Sequence, residues 1–337
     1  MLSVLDLFAG AGGLSLGLEE AGMEIVAAAE WDEDALETFA LNHSAAKIFP
    51  GDVGKINFSD LKGSVNVVVG GPPCQPWSDG GKRLGHEDPR DGFPKFLQAI
   101  KEIRPQAFLM ENVPGLTRGI SIKAFEGLID KFRGLGYVVL YEVLKAGDYG
   151  VPQRRQRLFV VGSLADGFNW PEPSHGPGKD CPLVVAGDII SPTKIIGDPN
   201  FSKITYAKNP DLRPSPYDGL LFNGGGRPIQ LDRLAPTMLA SMGGNKTPWL
   251  DVANIVPSYH KYLMDGGTPK TGEVPGARRI TVEEAAALQT FPPDMKFVGR
   301  RSSQYRQVGN AVPPKLAQAV GRALVDHIKG SAPRVII

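Results

Sequence analysis

A chain of 337 residues, 42% hydrophobic and 22% charged, can bury one large core and a smaller one, and its composition excludes a disordered or fibrous protein. Its two cysteines, Cys74 and Cys181, exclude a disulfide framework and a zinc site, leave no metal expected, and point to a reducing, cytoplasmic compartment. No apolar run approaches the ~18 residues of a membrane span, and no basic segment precedes the apolar start as in a secretory signal.

In chain order, apolar runs of strand length fall at 4–8, 24–29, 46–49, 65–69, 106–110, 137–144 and 158–162. Helical patterns fall between several of them, at 34–41, 96–103 and 122–132. Strands alternating with helices predict an α/β fold with a doubly wound, mostly parallel sheet. After Asn169 the chain changes character. Pro171, Pro173, Pro177, Pro182 and Pro192 punctuate short apolar runs, and Gly224-Gly225-Gly226 and Gly243-Gly244-Asn245 mark loops. Such a stretch predicts a smaller, β-rich unit. Helical signals return at Thr281, where Thr281 and Glu284 form a capping-box pattern, and a last helix is expected over 314–329.

The first strand runs into Asp6-Leu7-Phe8-Ala9-Gly10-Ala11-Gly12-Gly13-Leu14-Ser15. A glycine turn between strand and helix suits a nucleotide-like ligand over the sheet edge. Ser15 stands where a dinucleotide fingerprint has its third glycine, and Asp6 would repel a pyrophosphate. A cationic or zwitterionic tail fits better, which favours S-adenosylmethionine over NAD. Glu30 ends the second strand, where a carboxylate can bind ribose hydroxyls. Trp31 offers an adenine a flat face, and Asp52 ends the third strand.

The fourth strand leads into Gly70-Gly71-Pro72-Pro73-Cys74-Gln75-Pro76-Trp77-Ser78. Most free cysteines are inert small hydrophobes. The prolines fix φ and the glycines permit close approach, so this one is presented on a stiff turn, as a nucleophile would be. Glu111-Asn112-Val113-Pro114-Gly115 follows another strand, placing an acid at the same edge. In Gln153-Arg154-Arg155-Gln156-Arg157, alternation puts Arg155 and Arg157 on one face.

These segments, with RRITVEEAAALQTFP at 278–292 and YRQVGNAVPP at 305–314, resemble the ordered motifs of the DNA (cytosine-5) methyltransferases, bacterial and phage type, through nearly the whole chain. The resemblance implies a class I S-adenosylmethionine-dependent methyltransferase fold. It implies a catalytic domain of residues 1–172 plus 301–337, a hinge over 278–300, and a target-recognition domain over 173–277. Cys74 would attack C6 of a flipped-out cytosine. Glu111 would serve N3 and the exocyclic amine, and Arg155 and Arg157 would meet O2 and orient Glu111. S-adenosylmethionine would give its methyl to C5, and a base, water in the simplest case, would remove the C5 proton.

Cofactor contacts are expected from Asp6, Phe8, Ala9, Gly10, Gly12, Gly13, Leu14, Glu30, Trp31, Asp52, Val53 and Pro72. The last motif would return Asn310, Ala311 and Val312 beside Gly10. Ser78, Lys82 and Arg83 would face DNA from a mobile catalytic loop, and Arg227 and Asn245 from the recognition unit. One departure is Asp91-Gly92-Phe93-Pro94, where the family more often has an aromatic-rich helix start.

Double-stranded DNA is the expected partner, bound by a monomer, with a restriction endonuclease as a functional rather than physical companion. Net charge is −6 over residues 1–172, +1 over 173–277 and +6 over 278–337. Arg278, Arg279, Arg300, Arg301, Arg306 and Lys315 are therefore expected to offer a phosphate-facing surface. Two alternatives stay open: a tRNA cytosine-5 methyltransferase, and a catalytically silent DNA-binding relative. The size of the 173–277 region favours DNA, and intact Cys74, Glu111, Arg155 and Arg157 favour an enzyme.

Overall fold

The computed structural model describes residues 1–73 and 91–330. Cys74, Ser78, Lys82 and Arg83 lie outside the described residues. Seven strands, β1 (Leu2–Leu7), β2 (Met23–Glu30), β3 (Lys47–Pro50), β4 (Val67–Gly70), β5 (Ala107–Asn112), β6 (Val138–Lys145) and β7 (Gln156–Ser163), form one sheet in the order β3-β2-β1-β4-β5-β7-β6. β3 through β5 are parallel, and β7 runs antiparallel to both β5 and β6. The strand order reverses between β1 and β4, and ligands of open α/β sheets bind beyond the carboxyl ends at such a point.

Both faces of the sheet are covered, which is why its strands read as continuous apolar runs. Leu5, Leu7, Val68, Phe108 and Met110 pack on one side with α3 (Phe93–Ile103) and α4 (Ile122–Gly134), through Phe96, Ile100, Phe125 and Phe132. Their alternates Val4, Val67, Val69 and Leu109 face α1 (Gly13–Glu20), α2 (Glu33–Asn42) and the last helix, α8 (Pro314–Gly330), through Leu14, Leu18, Phe39, Leu316 and Val320.

The region after Asn169 carries two short antiparallel pairs. These are β8 (Tyr206–Asp211) with β9 (Leu220–Phe222), and β10 (Trp249–Asp251) with β11 (Ala277–Arg279). It also holds a helix that the sequence pattern does not announce, α5 (Ile255–Met264). Its Val256, Tyr259 and Leu263 pack with Phe222 and Trp249. α6 (Val282–Leu288) starts on the expected capping box of Thr281 and Glu284. Tyr305 and Val308 of α7 (Arg301–Asn310) share a core with Met238, Met242, Ile280 and Leu288. The final motif thus packs on the 186–250 region through α7 and on the sheet through α8.

Candidate active site

The turn after β4 is fixed from several sides. A Cβ at Gly70 would overlap the Leu7 carbonyl oxygen, and one at Gly71 would lie 3.2 Å from Glu111 Oε2. Both positions therefore need glycine for close approach, not for turn geometry. Asn112 Nδ2 donates to the Pro72 carbonyl at 2.9 Å, and Gly92 N donates to the Pro73 carbonyl at 3.1 Å. The two prolines are clamped just before Cys74. The Asp91-Gly92-Phe93-Pro94 stretch has its place here: Gly92 packs against both prolines and Phe93 is buried at the start of α3.

Glu111, at the end of β5, meets Arg157 of β7, with Nε to Oε1 at 2.8 Å and both side chains nearly buried. Burial pushes the Glu111 carboxyl above its usual range, while Arg157 and then Arg155 pull it down. Gln156, between the two arginines, is exposed while Arg155 is buried, as strand alternation requires. Arg155 nevertheless ends elsewhere. It is fully buried, and its guanidinium donates to the carbonyls of Met238 at 2.9 Å, Gly309 at 2.9 Å and Ala311 at 2.7 Å. Its two terminal nitrogens are thereby committed to backbone.

Gln153, unassigned in the sequence reading, belongs to the same buried network. It accepts from Met238 N at 2.8 Å and donates to Gln289 Oε1 at 3.0 Å. Gln289 in turn donates to the Val308 carbonyl at 2.7 Å. Three stretches distant in sequence are riveted together beneath the cleft.

The cleft itself, of about 730 Å³, opens over the β1/β4 switch point. Asp6, Phe8, Ala9, Gly10, Gly13, Leu14, Glu30, Trp31 and Pro72 line it, facing Asn310, Ala311 and Val312, with Glu111 and Arg157 at its far end. Glu30 accepts from the backbone amides of Gly10 at 2.9 Å and of Trp31 and Asp32 at 2.8 Å, which holds its carboxylate at the mouth. Trp31 is 74% exposed, an indole face available for stacking. Asp6 is fully buried, accepts from Ser15 Oγ at 2.6 Å, and is pushed up to about 7 by burial.

Three residues expected as cofactor contacts sit apart from this lining. Gly12 packs on the His43 ring, where a Cβ would overlap it. Asp52 lies two residues beyond the end of β3, where it caps the turn that follows, and its carboxylate takes Lys95 Nζ at 2.8 Å, a bond that holds it below its usual range. Val53 is buried in the core.

Asp32 and Arg306 add a contact that no motif announced, an ion pair of 2.8 Å across the cleft mouth. Arg278 grips Glu284 at 2.7 and 2.8 Å, and Arg279 is 1% exposed. The positive balance of the C-terminal segment is therefore only partly a surface feature. Arg300, Arg301, Arg306 and Lys315 are exposed.

The loops carrying Arg227 and Asn245 lie side by side. Gly226 N donates to the Asn245 carbonyl at 3.2 Å, and both side chains are exposed. Arg227 also donates to the Gly219 carbonyl.

A glycine turn, an acid at the second strand end and an aromatic beside it, over a mostly parallel seven-stranded sheet, define a class I methyltransferase. The model of the C-5 cytosine-specific DNA methylases matches residues 2–326. The Type II methyltransferase M1.HphI of Haemophilus parahaemolyticus is 34% identical over 96% of this chain and 87% of its own. M.Eco47II of Escherichia coli is 35% identical over 96% of this chain and 78% of its own. A crystal structure of a Spodoptera frugiperda DNMT2 mutant has the same fold, with a TM-score of 0.72 at 18% identity over 96% of this chain and all of that one. The chain belongs to the C-5 cytosine-specific DNA methylase family, and its activity is methyl transfer from S-adenosylmethionine to C5 of cytosine in DNA.

Proposed function

We propose that Cys74, Glu111 and Arg157 carry out this transfer on a cytosine swung out of duplex DNA, and that residues 173–277 choose which cytosine. The observation that supports it most is the buried Glu111–Arg157 pair beside the Pro72–Pro73 turn leading into Cys74. C5 of cytosine is a poor nucleophile. Addition of the Cys74 thiolate to C6 pushes ring electrons toward N3 and O2 and gives C5 enamine character. Glu111, whose carboxyl burial pushes above its usual range, donates a proton to N3 as negative charge develops there and takes it back when the thiolate leaves. Arg157 orients Glu111 and meets the charge at O2, while Arg155 holds the framework under both.

The donor set of the cleft suits S-adenosylmethionine. Asp6 and Glu30 favour a cation and hydroxyl groups, Trp31 suits adenine, and Gly10 leaves open space beside the backbone. When bound, the cofactor supplies an electrophilic methyl group for C5. Loss of the C5 proton to water and cleavage of the Cys74–C6 bond then restore the aromatic ring and the thiolate. A stacked base cannot reach Cys74, so the nucleotide leaves the helix at an unstacking cost of roughly a few kcal/mol.

Residues 1–172 and 301–337 form the cofactor-binding domain in this reading, with 278–300 as hinge. Among the described residues no helix is long and apolar enough to cross a membrane. We place the enzyme in the cytoplasm as a monomer, protecting DNA from a restriction endonuclease it need not touch.

The test offers purified protein duplex DNA and tRNA side by side with S-adenosylmethionine, then reads the products by bisulfite sequencing. Methylation of DNA at one recurring sequence is expected. Methylation confined to tRNA, or cofactor binding with no transfer, would replace this reading with one of the two alternatives.

A further inference from the structure

We propose that Arg279 is a positioning residue for target choice, a buried guanidinium that fixes the loops 223–227 and 241–247 to one another without meeting DNA. The inference rests on the reading of residues 173–277 as the recognition unit.

Arg279 ends β11, opposite Trp249 of β10, and is 1% exposed. Its Nη1 donates to the Thr247 carbonyl at 2.5 Å, where the second loop ends. Its Nη2 donates to the Lys203 carbonyl at 3.2 Å. Two residues beyond Lys203, the Thr205 carbonyl accepts Asn223 N at 2.7 Å, where the first loop begins. Gly226 closes the arrangement from above: a Cβ there would overlap the Thr247 carbonyl and lie 2.6 Å from Arg279 Nη1. The feet of both loops thus stand on one side chain, and a planar fork of donors holds two carbonyls on separate segments at a fixed separation, which the rotatable ammonium of a lysine does not.

Among the described residues Arg279 forms no ion pair with an acid, and its Nε is buried without a hydrogen-bond partner. Its neighbour Arg278 is matched by Glu284 through two bonds. Thr247 Oγ1 and Trp249 Nε1, beside Arg279, are likewise buried without partners. A buried charge lacking a counter-charge carries a desolvation cost that its hydrogen bonds to the two carbonyls must offset. What Arg279 supplies, and an apolar side chain would not, is a fixed spacing between the loops. That spacing matters because hydrogen bonds to base edges tolerate little displacement.

The experiment uses the full chain carrying Arg279→Met, Arg279→Lys or Gly226→Ala, on a randomised duplex library read by bisulfite sequencing. Target preference is the methylation of the favoured sequence relative to its single-base variants, with thermal midpoint and cofactor affinity measured alongside. Arg279→Met is expected to leave cofactor affinity unchanged, to lower the midpoint because two carbonyls lose their donor, and to cut preference by roughly tenfold, the order of one lost base contact. Arg279→Lys, with charge but no fork, and Gly226→Ala, which disturbs the same carbonyl from the other side, should cut it as well. Should Arg279→Met fail to fold, the other two variants decide the matter. Uniformly slower methylation with preference intact would make Arg279 merely structural and overturn the proposal. Arg227→Ala and Asn245→Ala run in parallel. If they shift preference and the Arg279 and Gly226 variants do not, this inference alone fails. If they do not shift it either, the recognition reading fails and takes the inference with it.

Discussion

Burial raises the carboxyl of Asp6 in the cleft, and this has a measurable consequence. Asp6 is pushed up to about 7 by burial against the opposing Ser15 hydroxyl. Because its folded value is raised, its stabilising contribution is complete at pH values below about 4 and is lost as pH rises through about 7. A cationic ligand beside it favours the ionised form, so cofactor binding should expel a proton at pH 6 and tighten as pH rises through 7. Calorimetry in buffers of different ionisation enthalpy reads this directly. Equal apparent enthalpies in all of them, or the same pH dependence in Asp6→Asn, would exclude it. Arg155 and Arg157 should also part company on substitution. Arg155→Ala leaves three backbone carbonyls unsatisfied, at roughly 1–3 kcal/mol each if they stay buried, and should lower the thermal midpoint sharply. Arg157→Ala, which leaves the nearly buried Glu111 without its partner, should also lower the midpoint, but unlike Arg155→Ala it should slow single-turnover methyl transfer by the folded protein by about 10²-fold or more. The reverse pattern would show that the two roles are exchanged. Strand alternation made the shared side of these arginines legible. It carried no information on carbonyl acceptors 83 and 154 residues away, which only the closed fold brings within reach.

At the scale of elements, the strands were the most legible part, because a sheet covered on both faces leaves uninterrupted apolar runs in the sequence. α5 was not. Pro257 in its first turn reads as a breaker, and its cap comes from Asp251 rather than from the N-cap residue Asn254: the carboxylate accepts the Ile255 and Val256 amides at 2.8 and 2.7 Å from four and five residues upstream. That spacing falls outside the usual pattern, in which the N-cap side chain accepts from the second or third helical amide. Packing of α1 on α8 is equally hidden in sequence, yet it closes the cofactor side of the cleft. A Cβ at Gly17 would overlap the Pro314 carbonyl and approach Ala317 Cβ to 2.5 Å. Gly17→Val should therefore destabilise by about 1–3 kcal/mol in denaturant unfolding. It should also weaken cofactor binding, because Ala311 and Val312 precede α8 and line the cleft. Unchanged stability would mean that the two helices can separate at no cost.

For the whole molecule, chemistry and target choice are assigned to different stretches of chain, joined by the Gln153–Arg155 network. Grafting residues 173–277 onto a relative of different specificity should transfer the methylated sequence, and an active chimera that keeps the recipient's site would refute the division. The C-terminal charge balance, read from composition, overstates the surface because Arg278 is held by Glu284 and Arg279 is buried in the fold. Residues that fix DNA phosphates cannot be counted from sequence alone when burial consumes them. The central claim is that Cys74 attacks the base. Intact mass spectrometry of the protein after incubation with S-adenosylmethionine and duplex DNA containing 5-fluorocytosine tests it most directly, since fluorine blocks the final proton loss. A denaturant-resistant protein–DNA adduct is expected, mapping to Cys74, undiminished in Cys181→Ala and absent from Cys74→Ala. An adduct that survives in Cys74→Ala, or full methyl transfer by that variant on ordinary DNA, would contradict it.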